Sequence, residues 1–326
     1  MAVGAVVARR GSALQRARAT VIASLSWLVC HFPERPLVAA AELVGEVWYR
    51  VTPARAARAR ANLGRVCRWL ANHQLGTPAA RAAAADPGEL ERLVRGAFRH
   101  AARYYLELLR FPAMDASYIR DRLVLEDAEA AEDLLAASPG ILIGLHFGGL
   151  EMPARYVTAR TGRELVGPME LLDDPELQGW ISRSRLGTGM RLIPIQGARR
   201  ELIGVLASGG MAGLVADRDI ARNGTPTELF GAPAPLPVGP AILAAETGAP
   251  AWAAISWRRP DGRYGARVER LAPVPDGPLR DRVRAFLDSE ARAFERLVAV
   301  APEQWWAVFF EIWPDPSAGS GSGVDR

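Results

Sequence analysis

Apolar residues follow two rhythms along this chain. Up to about residue 110 they recur at helical spacing within long stretches. The first is the run from Val21 to Phe32, the second follows Pro33-Glu34-Arg35-Pro36 and reaches Trp48 and Tyr49. An arginine-studded helix ends near Leu70, and after an alanine-rich loop from Gly76 to Gly88 another helix runs from about Glu89 to Arg110. From Ile141 the rhythm changes to short apolar runs, which predict strands near 141–146, 164–168, 191–195 and 211–216. Helical stretches near 149–160, 174–186 and 199–208 separate them. That alternation predicts an α/β fold with a mostly parallel central sheet flanked by helices. Beyond a proline-rich loop, a helix is expected over 238–247, strands over 251–258 and 264–271, and an amphipathic helix over 279–300. The chain thus divides into an N-terminal helical region (1–70), an α/β domain (71–313) and a Ser/Gly-rich tail (314–326) expected to be disordered.

The run Ile141-Leu142-Ile143-Gly144-Leu145 ends in His146-Phe147-Gly148-Gly149-Leu150-Glu151. A buried parallel strand with a glycine-rich exit would place His146 at the sheet edge where such folds bind ligands. On one continuous helix a spacing of five residues turns two side chains roughly 140° apart. His146 and Glu151 can therefore meet only if the chain bends between them, which Gly148-Gly149 permits. The histidine would then take a proton from a hydroxyl while Glu151 fixes the tautomer of its other ring nitrogen.

Composition narrows the chemistry. The 326 residues are 49% hydrophobic, enough for a sizeable core, and every one of the 40 Lys+Arg residues is arginine. Walker A loops, Schiff bases and lysine nucleophiles are therefore excluded. The net charge of +4 suits an anionic membrane surface or phosphorylated ligands, and no basic-aromatic repeat favours nucleic acid. Cys30 and Cys67 have neither metal nor disulfide spacing, and the four histidines form no zinc motif. Arg9, Arg10, Arg16 and Arg18 precede the run from Val21 to Phe32. Its roughly 12 residues rise only about 18 Å as a helix, short of a roughly 30 Å hydrocarbon core. An interfacial anchor fits this run better, which makes residues 1–70 an expected membrane-associating region; a signal peptide and an ordinary core helix are the rival readings.

Three blocks in order, the His-x4-Glu segment, Val215-Ala216-Asp217-Arg218-Asp219 followed by Phe230-Gly231, and Pro237-Val238-Gly239-Pro240-Ala241-Ile242-Leu243, resemble the bacterial lipid A lauroyltransferase and phosphatidylinositol mannoside acyltransferase family over roughly residues 20 to 312. The resemblance leans toward the mannoside enzymes. It implies a membrane-associated O-acyltransferase at the cytoplasmic face of the bacterial plasma membrane. The acyl chain would pass directly from acyl-CoA or acyl carrier protein to a glycolipid hydroxyl, with no further cofactor. Lipid A and lysophospholipid acceptors are the alternatives.

In that frame His146 and Glu151 are the catalytic pair. The segment Trp180-Ile181-Ser182-Arg183-Ser184-Arg185-Leu186-Gly187 matches the family's arginine-bearing helix, which favours Arg183 near the reacting carbonyl with Arg185 as competitor. Asp217 and Asp219 are expected to orient Arg218 and the acceptor's hydroxyls, since no third ligand for a metal accompanies them. Phe230 resembles a lip of the acyl groove. Gly239 opens a helix whose N-terminus would face a phosphate. The aromatic cluster from Trp305 to Trp313 should pack against the sheet. Two rivals remain: a lipid hydrolase, for which no Gly-x-Ser-x-Gly elbow exists, and a lipid-binding scaffold without activity.

Overall fold

A computed structural model describes residues 11–186 and 188–314 of the chain. Arg9, Arg10, Gly187 and the tail beyond Pro314, on which some of the expectations fall, lie outside the described residues. Helices come first: α1 (Ala13–His31), α2 (Glu34–Val51), α3 (Pro53–Asn72), α4 (Pro78–Ala82), α5 (Pro87–Arg110) and α6 (Ala116–Arg122). Strands and helices then alternate through β1 (Leu123–Leu125), α7 (Ala128–Ala136), β2 (Gly140–Gly144), α8 (Met152–Thr161), β3 (Leu165–Met169), α9 (Pro175–Leu186), β4 (Met190–Pro194), α10 (Ala198–Ala207) and β5 (Met211–Val215). A hairpin, β6 (Thr225–Leu229) with β7 (Ala232–Leu236), precedes α11 (Gly239–Thr247), β8 (Ala251–Arg258), β9 (Tyr264–Arg270) and α12 (Leu279–Val298).

Seven strands form one sheet in the order β1-β9-β8-β2-β5-β3-β4, in which only the β8–β9 pair is antiparallel. The central strands are apolar on both faces because helices cover both. One face carries Ile141, Ile143, Val166 and Ala212 against α10, α11 and α12. The other carries Leu142, Leu165, Met211 and Trp252 against α7 and α8. Helix α3 buries Ala59, Leu63, Val66, Cys67 and Leu70 in the same core as the sheet, so the core runs across the boundary expected at residue 70. The strands expected from 141 onward sit within one or two residues of their predicted places.

The hairpin β6–β7 was not anticipated. Pro226, Pro233 and Pro235 mask its strand pattern, since proline is confined to edges where no ladder N–H is required. Phe230-Gly231 is its two-residue turn, with φ of +49° and +72°.

Helices α1 and α2 turn apolar stripes outward. In α1 the exposed residues Leu14, Val21, Leu25 and Leu28, with Phe32 just beyond, repeat every three, four or seven positions, and in α2 Leu43, Val44, Val47 and Val51 do likewise. Trp27 is 65% exposed. No helix among the described residues is long and apolar enough to cross a membrane. Arg18, itself exposed, pairs with the buried Asp174 and ties α1 to the start of α9.

Candidate active site

The register of the sheet builds the site. Strands β2 and β5 are parallel neighbours whose last pair is Gly144 with Val215, and His146 and Asp217 each lie two residues beyond it. The two side chains therefore leave adjacent strand ends together. His146 Nδ1–H donates to Asp217 Oδ1 at 2.6 Å, and the His146 backbone N–H donates to Oδ2 at 2.9 Å. Trp305 Nε1–H donates to Oδ2 at 2.7 Å. An ionised carboxylate only accepts, so the Nδ1 tautomer follows and Nε2 is left as the basic nitrogen. Burial pushes the Asp217 carboxyl upward, but the His146 ring and the donors around it outweigh that and hold it below the usual carboxylate range.

The loop after β2 is held by the chain's C-terminal segment. Gly148 N–H donates to the Gln304 carbonyl and Trp306 N–H to that of His146, while Phe147 forms an isolated bridge with Trp305. Gly148 has φ +46°, and a Cβ there would lie 2.0 Å from the Ser256 oxygen, so only glycine fits. The ring of Trp306 meets His146 edge-on, with centroids 4.5 Å apart.

The bend at Gly148-Gly149 forms as expected, but it does not deliver Glu151 to the histidine. Glu151 occupies the N-cap position of α8 without a side-chain capping bond and turns to α9, where Arg185 Nε donates to Oε1 at 3.1 Å and Nη2 forms a second, shorter contact to the same oxygen. This corrects the expected pairing: the ring partner is Asp217, and Glu151 holds Arg185. Burial would lower the pKa of Arg185, but the adjacent Glu151 carboxylate raises it above the usual value, so it stays charged. Arg183, favoured from the sequence, is exposed and lines no part of the cavity, because it lies about 160° from Arg185 around the helix.

His146, Glu151 and Arg185 sit at one cavity of about 650 Å³, a size typical of small-molecule sites. Arg218 and Asp219 also line it, but Asp219 does not orient Arg218. It accepts the backbone N–H groups of Asn223 and Gly224 and so folds the loop after β5. Arg218 stacks on Phe310 with its guanidinium carbon 3.5 Å from the ring centroid. Among the described residues it has no ion-paired partner, and burial lowers its pKa. Gly239 lines the cavity at the first turn of α11, with Pro240 beside it. Phe230 does not form a lip: it is 2% exposed, packs among Trp69, Trp305 and Trp313, and donates its backbone N–H to Glu295. The roles of Trp305 as a donor to Asp217 and of Asp217 itself as the ring's partner escaped the sequence. Among the described residues no group of three or more His, Cys, Asp or Glu could hold a metal.

A polarised histidine facing a largely apolar cavity suits proton abstraction from a lipid hydroxyl. The family of bacterial lipid A biosynthesis acyltransferases matches this chain over residues 8–310. The chain belongs to that family. It is 28% identical to the phosphatidylinositol mannoside acyltransferase of Mycolicibacterium smegmatis over 268 residues, which cover 79% of this chain and 86% of that protein. It is also 28% identical over 253 residues to proteins of the same name in two strains of Mycobacterium tuberculosis, covering 76% of this chain and 73% of theirs. Family and relatives together make it an O-acyltransferase acting on glycolipids.

Proposed function

We propose that this acyltransferase moves a fatty acyl chain from acyl-CoA or acyl carrier protein to a hydroxyl of phosphatidylinositol mannoside. The observation that carries the mechanism is the His146–Asp217 pair, whose Nε2 side borders the cavity. The acceptor hydroxyl gives its proton to Nε2 as its oxygen attacks the thioester carbonyl. Asp217 balances the imidazolium so formed. The Arg185 guanidinium, held in place by Glu151, is the cation available to the carbonyl oxygen as it becomes an oxyanion. Collapse of that intermediate breaks the carbon–sulfur bond and the thiolate takes the proton from His146, so no acyl-enzyme forms. Arg218, stacked on Phe310 and free of an ion pair among the described residues, suits a phosphate of the donor or of the acceptor headgroup.

Peripheral association with an anionic inner leaflet is supported by the outward apolar stripes of α1 and α2, in which Leu14, Val21, Leu43, Val44 and Val51 are mostly exposed. The reading is tested by offering the purified protein palmitoyl-CoA with vesicles containing phosphatidylinositol mannoside, a lysophospholipid or a lipid A precursor. Acylation of the mannoside ahead of the other two supports it. Preference for either of the others would reassign the acceptor.

A further inference from the structure

The sheet face beneath α8 carries a gap. Register places Leu142 beside Gly213, Gly167 beside Leu192, and Val166 beside Ala212, so Leu142, Gly213, Gly167 and Leu192 form one row across β2, β5, β3 and β4. All four line the cavity. Two adjacent glycines remove the side chains from two strand positions, which leaves a trough about 10 Å wide. Pro153 and Ala154 of α8 line it opposite the sheet. Toward the strand starts the next row closes it with Leu165 and Met190. Leu165 leans over the trough: a Cβ on Gly213 would stand 2.4 Å from its Cδ2. From His146 to the glycine row is four residues of strand, about 13 Å.

The trough is apolar along its length. Glu151 and Arg185 flank the mouth beside His146, Glu170, Arg218, Asp219 and Asn223 lie past the strand ends, and Arg199 stands at the start of α10, while Leu202, Ile242 and Leu243 give a second apolar wall from α10 and α11. A thioester carbonyl at His146 and Arg185 would therefore send its alkyl tail down the trough and leave its polar carrier outside.

We infer that Gly213 and Gly167 floor the slot for the donor's acyl tail and that Leu165 is its end stop, so that these residues select acyl-chain length. The inference rests on the acyltransferase reading and adds the specificity determinant to it. A chain that outgrows the slot loses burial of its terminal methylenes, each worth about a fourfold preference.

The test compares kcat/KM for palmitoyl-CoA and lauroyl-CoA with a phosphatidylinositol mannoside acceptor. Leu165→Ala lengthens the slot and should raise the palmitoyl-to-lauroyl ratio about tenfold. Gly213→Ala drives the Leu165 side chain into the slot and should lower it. The double variant removes that clash and should return the ratio to or above the wild-type value, which decides the matter even if Gly213→Ala alone folds poorly. General damage to the core would lower both donors together. A ratio unchanged within about twofold in Leu165→Ala, or one that stays below the wild-type value in the double variant, overturns the slot. Absence of any acyl product from the wild-type enzyme would instead sink the reading on which the slot rests.

Discussion

Replacing Asp217 by asparagine should abolish the base without unfolding the protein. Oδ2 accepts two donors, Trp305 Nε1–H and the His146 backbone N–H, while Oδ1 accepts only from the ring. An asparagine must place its carbonyl oxygen where two donors meet, which puts its NH2 group against His146 Nδ1. The ring then accepts at Nδ1, its proton moves to Nε2, and the nitrogen facing the cavity can no longer take a proton. The expected fall in kcat is that of a lost general base, about 10²–10⁴-fold or about 2.7–5.5 kcal/mol. All three hydrogen bonds to residue 217 change from charge-assisted to neutral, the ring bond with its direction reversed, so unfolding should become easier by about 3 kcal/mol. Steady-state transfer assays of Asp217→Asn and Glu151→Gln, with melting curves of both, separate the two carboxylates. Retention of activity within about threefold in Asp217→Asn alongside collapse in Glu151→Gln would refute the pairing and restore Glu151 as the ring's partner.

Arg185→Lys should lose kcat about 10²-fold, because lysine lacks the planar fork that Glu151 holds, whereas Arg183→Ala should turn over like wild type; equal, small effects in both would remove the arginine from the mechanism. Glu290 is wholly buried on α12, among the described residues neither of its side-chain oxygens is hydrogen-bonded, and burial raises its pKa well above the ordinary value. A raised folded-state pKa gives stability that is complete below the ordinary glutamate range and is lost as pH rises through the folded value. Glu290→Gln, neutral at every pH, should therefore flatten the fall in Tm as pH rises above the ordinary glutamate range, and an identical pH profile in both proteins would contradict this. Replacing Leu25, Trp27 and Leu28 by serine should release the protein from anionic vesicles in flotation assays while it still acts on detergent-dispersed acceptor. Unchanged flotation would place the membrane contact elsewhere.

Much of the framework was legible because local signals suffice for it. The strands β2 and β5 are continuous apolar runs bounded by glycine, and Pro240 marks the first turn of α11 just as a helix start requires. The hairpin was not legible, since three prolines contradict a strand pattern that its edge position tolerates. The glycine bend after His146 was correctly read as a bend, but its direction is set by Ser256 and Gln304, which are distant in sequence. Asp217 was singled out as a site residue, yet its role depended on β5 being the neighbour of β2. Strand order is a property of the whole sheet and is not written near either residue. Arg183 and Arg185 differ by two positions on one helix, and only the placement of Glu151 distinguishes them.

The central claim is direct acyl transfer to a glycolipid hydroxyl with His146 as base. The most direct measurement is mass spectrometry of the lipids formed when wild-type enzyme and His146→Ala are each incubated with palmitoyl-CoA, with and without phosphatidylinositol mannoside. A palmitoylated mannoside is expected from the wild type, at least about 10²-fold less from His146→Ala, and little free palmitate when the acceptor is omitted. Equal product from both proteins, or free palmitate released at the same rate without acceptor, would contradict it.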